Sequence, residues 1–466
     1  MKRSFFALGL ILCLISCKET NNSTFPDVLP DITKNISLRY VSKDYAADAC
    51  LAFANITQNS NPFRSATPLR VQRIRSIGET LLRSGDPIAD STLYFVDFAE
   101  RQGYAIYAAD KRINKVYALM DTGNSDEFIE DYRNAVAHNT EEGHLLSLIN
   151  NDIKSKLDSL DYIGDQKYIV SFADTALHIE EYIPNKLKTN WDQYKPYNII
   201  VNQYGGQDVL LRNSVDEKGI PVGCVTVAVA QIVAHFKAIE YYKELNANNI
   251  YYRFLWDEII KECQKNKGRL GENANPSIIH QVGMLMSGLC KELHVDLSSE
   301  GSGTTDKAAL TYMRSIGLSV PQDMSKFTEL DVKNILKKDG IAYMGGYHKE
   351  IFWGTWGAGS GHSWLSDGFL SVGMWCQGEA PIYDPNCDRN EDDCRPIDWE
   401  KYCFYDISNY IHINWGWNKD YNGYFCGDLF DYFNPKFPDF YSTNSTSPTD
   451  KDHQYKHLRM TGVYKK

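Results

Sequence analysis

The chain has 466 residues and a formal net charge of −11. That is length enough for two or three domains, and the wrong charge for nucleic-acid binding, which needs clustered Lys and Arg to neutralise phosphates. Hydrophobic residues make up 43% and charged residues 23%, a globular balance that excludes a disordered or fibrous chain.

The N-terminus reads as an export signal. Lys2 and Arg3 precede the apolar run Phe5 to Ile15, which is too short to span a bilayer and closes in Leu14-Ile15-Ser16-Cys17. A cysteine directly after a small residue resembles the bacterial lipobox. Residues 1–16 are therefore read as a lipoprotein signal peptide and Cys17 as the acylated mature N-terminus; a plain secretion signal with a chance cysteine is the alternative. The expected location is the bacterial cell envelope, periplasmic or cell-surface, with membrane contact through the lipid anchor and possible later release of the mature domain. Residues 17–35, rich in Asn, Thr, Ser, Asp and Pro, read as a tether. An oxidising compartment permits disulfides, but nine cysteines remain beyond Cys13 and Cys17, so at least one thiol stays unpaired and is a candidate reactive group.

Residues 39–60 and 68–84 have helical spacing, with Ala46, Ala47, Cys50, Leu51 and Phe53 on one stripe. Leu93–Phe98, Gly103–Asp110 and Val116–Met120 read as three strands, and residues 125–160 as polar helix. Together these predict a small α+β unit over residues 36–170. A second unit spans 171–466. Its Pro221-Val-Gly-Cys224 leads into a run that is almost wholly apolar or small to Ala234, a helix buried on most faces. Late strands follow around Gly361–Phe369, Ile411–Trp417 and Gly423–Phe425.

Cys224 opens that helix, where the positive end of the dipole favours a thiolate, the attacking form. A buried core cysteine is the competing reading for any single thiol. His362 follows 138 residues later, behind Gly361, which lets a substrate backbone come close; His412 is a rival base. Asn414, in Asn414-Trp-Gly-Trp417, has the chemistry to fix an imidazole, and Trp415 to shield it from water.

These motifs resemble those of the streptopain-like cysteine peptidases, a branch of the papain-like fold. The carriers are Pro221–Gln231, Gly361–Gly368, His412–Trp417, Asn422–Phe425 and the stretch Trp191-Asp-Gln193 with Pro196-Tyr-Asn198. The resemblance implies a two-lobed papain-like catalytic domain, α+β in class, preceded by a small α+β inhibitory prodomain. It implies a secreted endopeptidase, made as a zymogen and inhibited in cis by its own prodomain, acting on protein or peptide substrates without a cofactor or metal. By the same resemblance Cys224 is the nucleophile, His362 the base, Asn414 and Trp415 its holders, and Gln193 an oxyanion donor beside the Cys224 N–H. Ser302 and Gly361 would line the substrate cleft. Residues 371–408, with Cys376, Cys387, Cys394 and Cys403, are expected to form an inserted loop that narrows the cleft; the four cysteines make disulfides there or, as the alternative, hold zinc. Two further readings stay open: a Cys–His acyltransferase or amidase, and an inactive surface lipoprotein that only binds.

Overall fold

The computed structural model describes residues 40–58, 67–76, 93–130 apart from 112 and 114, 177–199, 219–243, 251–298 apart from 272, 301–347, 361–383, 396–417, 421–430 and 456–466, with six further positions between 149 and 172. The signal, Cys17 and the tether lie outside them.

Helix α1 (Lys43–Gln58) buries Ala46, Cys50, Phe53, Ala54 and Thr57, the three-and-four spacing of one helical face. It packs on four strands: β1 (Val71–Ser76), β2 (Leu93–Phe98), β3 (Tyr104–Ala108) and β4 (Val116–Met120). Every residue of β2, β3 and β4 is buried, so these read as nearly continuous apolar runs, broken in β2 by Asp97, and are covered on both faces. The helix expected over 68–84 is corrected at 71–76, which form a strand. There Arg73 and Arg75 reach Asp97 and Asp126 across the sheet, and pairing with β2 overrides the local helical spacing. Of the expected helix over 125–160, residues 125–130 are helical and most of the remainder lies outside the described residues.

These strands do not form a separate sheet. Strand β4 pairs with β13 (Gly423–Cys426), and the ladder runs on through β12 (Pro396–Asn414), β11 (Gly361–Tyr383), β10 (Ile341–Tyr347), β14 (Lys456–Val463) and β9 (Ser325–Lys326). The free edge of β11 takes β6 (His178–Ile183) and β5 (Ser171–Phe172) beyond the reach of β10. Residues 39–466 make one compact unit of mixed helix and sheet, the α+β class expected.

Two cores flank this sheet, and alternation along its strands divides residues between them. Ala342, Met344 and Trp364 join the core shared with α1; Ile341, Tyr343 and Leu365 join the core built by α2 (Cys224–Phe236), α3 (Trp256–Gln264), α4 (Pro276–Glu292) and α5 (Asp306–Ser315). Helix α6 (Glu329–Lys337) packs against β10 and β11. A two-stranded ribbon, β7 (Tyr241–Lys243) with β8 (Tyr251–Arg253), follows α2.

The inserted loop expected over 371–408 is corrected as well. Most of it is the far half of an antiparallel hairpin, with β11 and β12 in register from Leu365↔Asn414 out to Tyr383↔Pro396. Along β11 the paired residues run from the His362 end out to Tyr383. Residues Cys387 and Cys394 and the side chains of Cys376 and Cys403 lie outside the described residues.

Candidate active site

Helix α2 is apolar through almost its whole length and fully packed on all sides, which fixes its first residue rigidly. Gly223 caps it with φ +87°, and no side chain caps the first turn. A Cβ at Gly223 would lie 2.6 Å from the Ser302 carbonyl oxygen, so both the backbone angle and the close wall demand glycine. Cys224 therefore stands half-buried at the open, positive end of a helix dipole. The other described thiols differ. Cys50, Cys263, Cys290 and Cys426 are buried, and burial raises their pKa values, to about 12 in the last three.

Gln193 and Ser302 flank the same helix start. The Val222 N–H donates to the Gln193 carbonyl at 3.0 Å, which brings the Trp191–Gln193 stretch alongside Cys224. Ser302 contributes its backbone to the wall. Its hydroxyl turns back to Ser298, accepting from the Ser298 N–H at 3.1 Å and donating to the Ser298 carbonyl at 3.3 Å. Asp192, beside Gln193, is buried, and burial raises its carboxyl to about 7 against the opposing Tyr194 N–H and Arg269 charge.

His362 lies one residue into β11, after Gly361, which pairs with Tyr347. Its ring is buried in a cluster of indoles: Trp417 at 4.8 Å between centroids, Trp364 at 5.7 Å and Trp415 at 6.3 Å. Trp415 and Trp417 are themselves stacked at 5.1 Å. Nε2–H of His362 donates to the Trp415 carbonyl at 2.8 Å, leaving the Nδ1 lone pair as the basic position.

Asn414 does not hold this imidazole. Its Oδ1 accepts from Gln231 Nε2 at 3.1 Å and from the Gly416 N–H at 3.3 Å, and its Nδ2 donates to the Thr189 carbonyl at 3.0 Å and to Gln231 Oε1 at 3.1 Å. Strand parity explains the correction. Asn414 pairs with Leu365 and faces α2, whereas His362 shares the face of Trp364. The anchor expected from the Asn414 side chain is supplied by the next residue's backbone.

The rival base, His412, is fully buried between two carboxylates, Nδ1 at 2.5 Å from Asp367 Oδ1 and Nε2 at 2.8 Å from Asp121 Oδ2. Burial opposes its charge, but the two aspartates prevail and raise it to about 10, which makes it a fixed cation and no proton shuttle. The sequence reading did not single out Trp417, although it lies in the motif. Nor did it assign a role to Gln231, whose signal was plain: one amide in an apolar helix must find buried partners.

The Peptidase C10 family model matches residues 191–425, which include Gln193, Cys224, Ser302, His362 and Asn414. The chain belongs to the Peptidase C10 family. It is thus a cysteine-type peptidase, and the resemblance to streptopain-like enzymes is borne out. No curated protein matches the chain. Among solved structures, a fragment of Prevotella intermedia prointerpain A bearing a cysteine-to-alanine substitution is similar at 16% identity and a TM-score of 0.43, covering 84% of this chain and 97% of that one. Active wild-type interpain A cysteine protease from the same organism is similar at 18% identity and a TM-score of 0.35, covering 61% and 95%.

Proposed function

We propose that this C10 peptidase is an exported endopeptidase made as a zymogen, with Cys224 and His362 as its dyad. The observation that carries the reading is Cys224: among the described cysteines it is the partly exposed one, and it opens a helix whose first turn no side chain caps. The thiolate attacks the scissile carbonyl. Nδ1 of His362 takes the thiol proton and returns a proton to the leaving amine, while Nε2 stays committed to Trp415. The developing oxyanion meets the Cys224 N–H and the Gln193 amide, each donor worth roughly 100–1000-fold. Ser302 and Gly361 offer backbone edges for the substrate chain. Residues 36–170 act as the prodomain, a role supported by the zippered pairing of β4 with β13. The Ser16-Cys17 junction supports a lipid anchor at the cell envelope.

The test compares the chain lacking its signal region with its Cys224→Ala variant, following mass, peptide cleavage and labelling by a thiol-reactive epoxide. Loss of roughly 150 residues, peptidase activity and a label mapped to Cys224, all absent from the variant, are expected. Activity that survives Cys224→Ala sinks the dyad.

A further inference from the structure

We propose that Gln231 is a positioning residue of the peptidase site, a single buried amide that ties the nucleophile helix to both the oxyanion segment and the histidine anchor. The proposal rests on the Cys224–His362 reading above.

Gln231 lies seven residues after Cys224, two turns and about 10 Å along α2. It is wholly buried, and its amide makes four bonds. Oε1 accepts from Thr189 Oγ1, from the Trp191 N–H and from Asn414 Nδ2, each at 3.1 Å. Nε2 donates to Asn414 Oδ1 at 3.1 Å. Thr189 and Trp191 begin the segment that places Gln193 beside the helix start. Asn414 closes the circle by donating to the Thr189 carbonyl and accepting from the Gly416 N–H, which brackets Trp415, the residue whose carbonyl holds His362.

Three segments far apart in sequence thus converge on one side chain, and none of the four residues in the network titrates. A core amide with no role beyond packing needs partners, but not these: each partner here continues into a residue of the site. A shift of about 1 Å in a reacting group can lower a rate about a hundredfold, so a pin common to three catalytic segments acts on turnover more than on substrate affinity.

Two full-length variants test this against wild type, with rates expressed per thiol labelled at Cys224 so that misfolded molecules do not count. Gln231→Met keeps length and apolar volume and removes all four bonds; kcat should fall about tenfold to a hundredfold with KM within about threefold. The carboxyl introduced by Gln231→Glu keeps the three accepted bonds but donates to Asn414 only when protonated. Its rate should therefore recover as pH falls, a dependence absent from wild type. Gln231→Met turning over within twofold of wild type per labelled thiol overturns the proposal, as does Gln231→Glu with the wild-type pH profile. Wild-type activity that persists in Cys224→Ala removes the dyad itself, and the positioning role with it.

Discussion

Asp192 is buried between Trp191 and Gln193, its Oδ1 accepting the Tyr194 N–H at 2.6 Å. Burial raises its carboxyl to about 7, so between the unfolded value near 4 and that point the folded chain holds the extra proton. Stability attributable to this group therefore declines as pH rises through that window and is flat above it. Asp192→Asn keeps an acceptor for Tyr194 and removes the slope. Thermal unfolding should show the variant raised by about 3 °C or more at pH 8 and equal to wild type at pH 4; equal midpoints at both pH values refute the buried-charge account. Thiol chemistry is decided at the same scale. Because burial raises the Cys50, Cys263, Cys290 and Cys426 thiols, a brief exposure to iodoacetamide at pH 7 should modify Cys224 and none of these four, as peptide mapping would read. Modification of Cys263 or Cys290 at a comparable rate would contradict that.

At the scale of elements, the β11–β12 hairpin carries its register outward from the site. Gln377 pairs with Cys403 fifteen residues past His362, roughly 50 Å away at strand rise. Replacing residues 378–402 with an Asn-Gly turn keeps the β5 and β6 pairings and should leave kcat/KM on a short peptide within about threefold. A tenfold loss would mean that the hairpin reaches the substrate. An inserted loop was expected here because the chain between the His and Asn motifs is longer than the resemblance implies, and nothing local reveals a ladder held by its partner strand. β1 was hidden for a related reason: Val71 and Ile74 have helical spacing, while the contacts that make the segment a strand lie on Asp97 and Asp126. The α2 helix, by contrast, was legible, since an apolar run bounded by Pro and Gly leaves one solution. Cys224 and the motifs around His362 were legible because short-range chemistry marks them. That Asn414 faces away from His362 was not, because parity is set by the register of β11 on β12, which sequence does not print.

In the whole molecule, the N-terminal sheet and the site-bearing sheet are one structure, joined at β4 and β13. The joint demands glycine at 423, where a Cβ would lie 2.1 Å from the Leu119 carbonyl oxygen. Ionic contacts secure it: Lys115 meets Asp428 at 2.5 Å, and Asp121, just past β4, meets His412 of β12. The His412 cation is buried and shared between Asp121 and Asp367, so its folded-state pKa stands near 10 against an ordinary 6.5. A raised cation pKa means that the stabilisation is complete below about pH 6.5 and is lost as pH rises through 10. Asp121→Asn removes one of the two carboxylates and leaves the His412–Asp367 pair. It should lower the unfolding free energy of the full chain by about 3 kcal/mol at neutral pH, the lower part of the range for breaking a buried pair, and the deficit should shrink above pH 10 as wild type loses the same charge. Denaturant titrations at pH 7 and pH 10.5 separate the outcomes. A deficit that is the same at both would assign the loss to packing at the joint, and no deficit at pH 7 would remove the ion pair as a fastener of that joint.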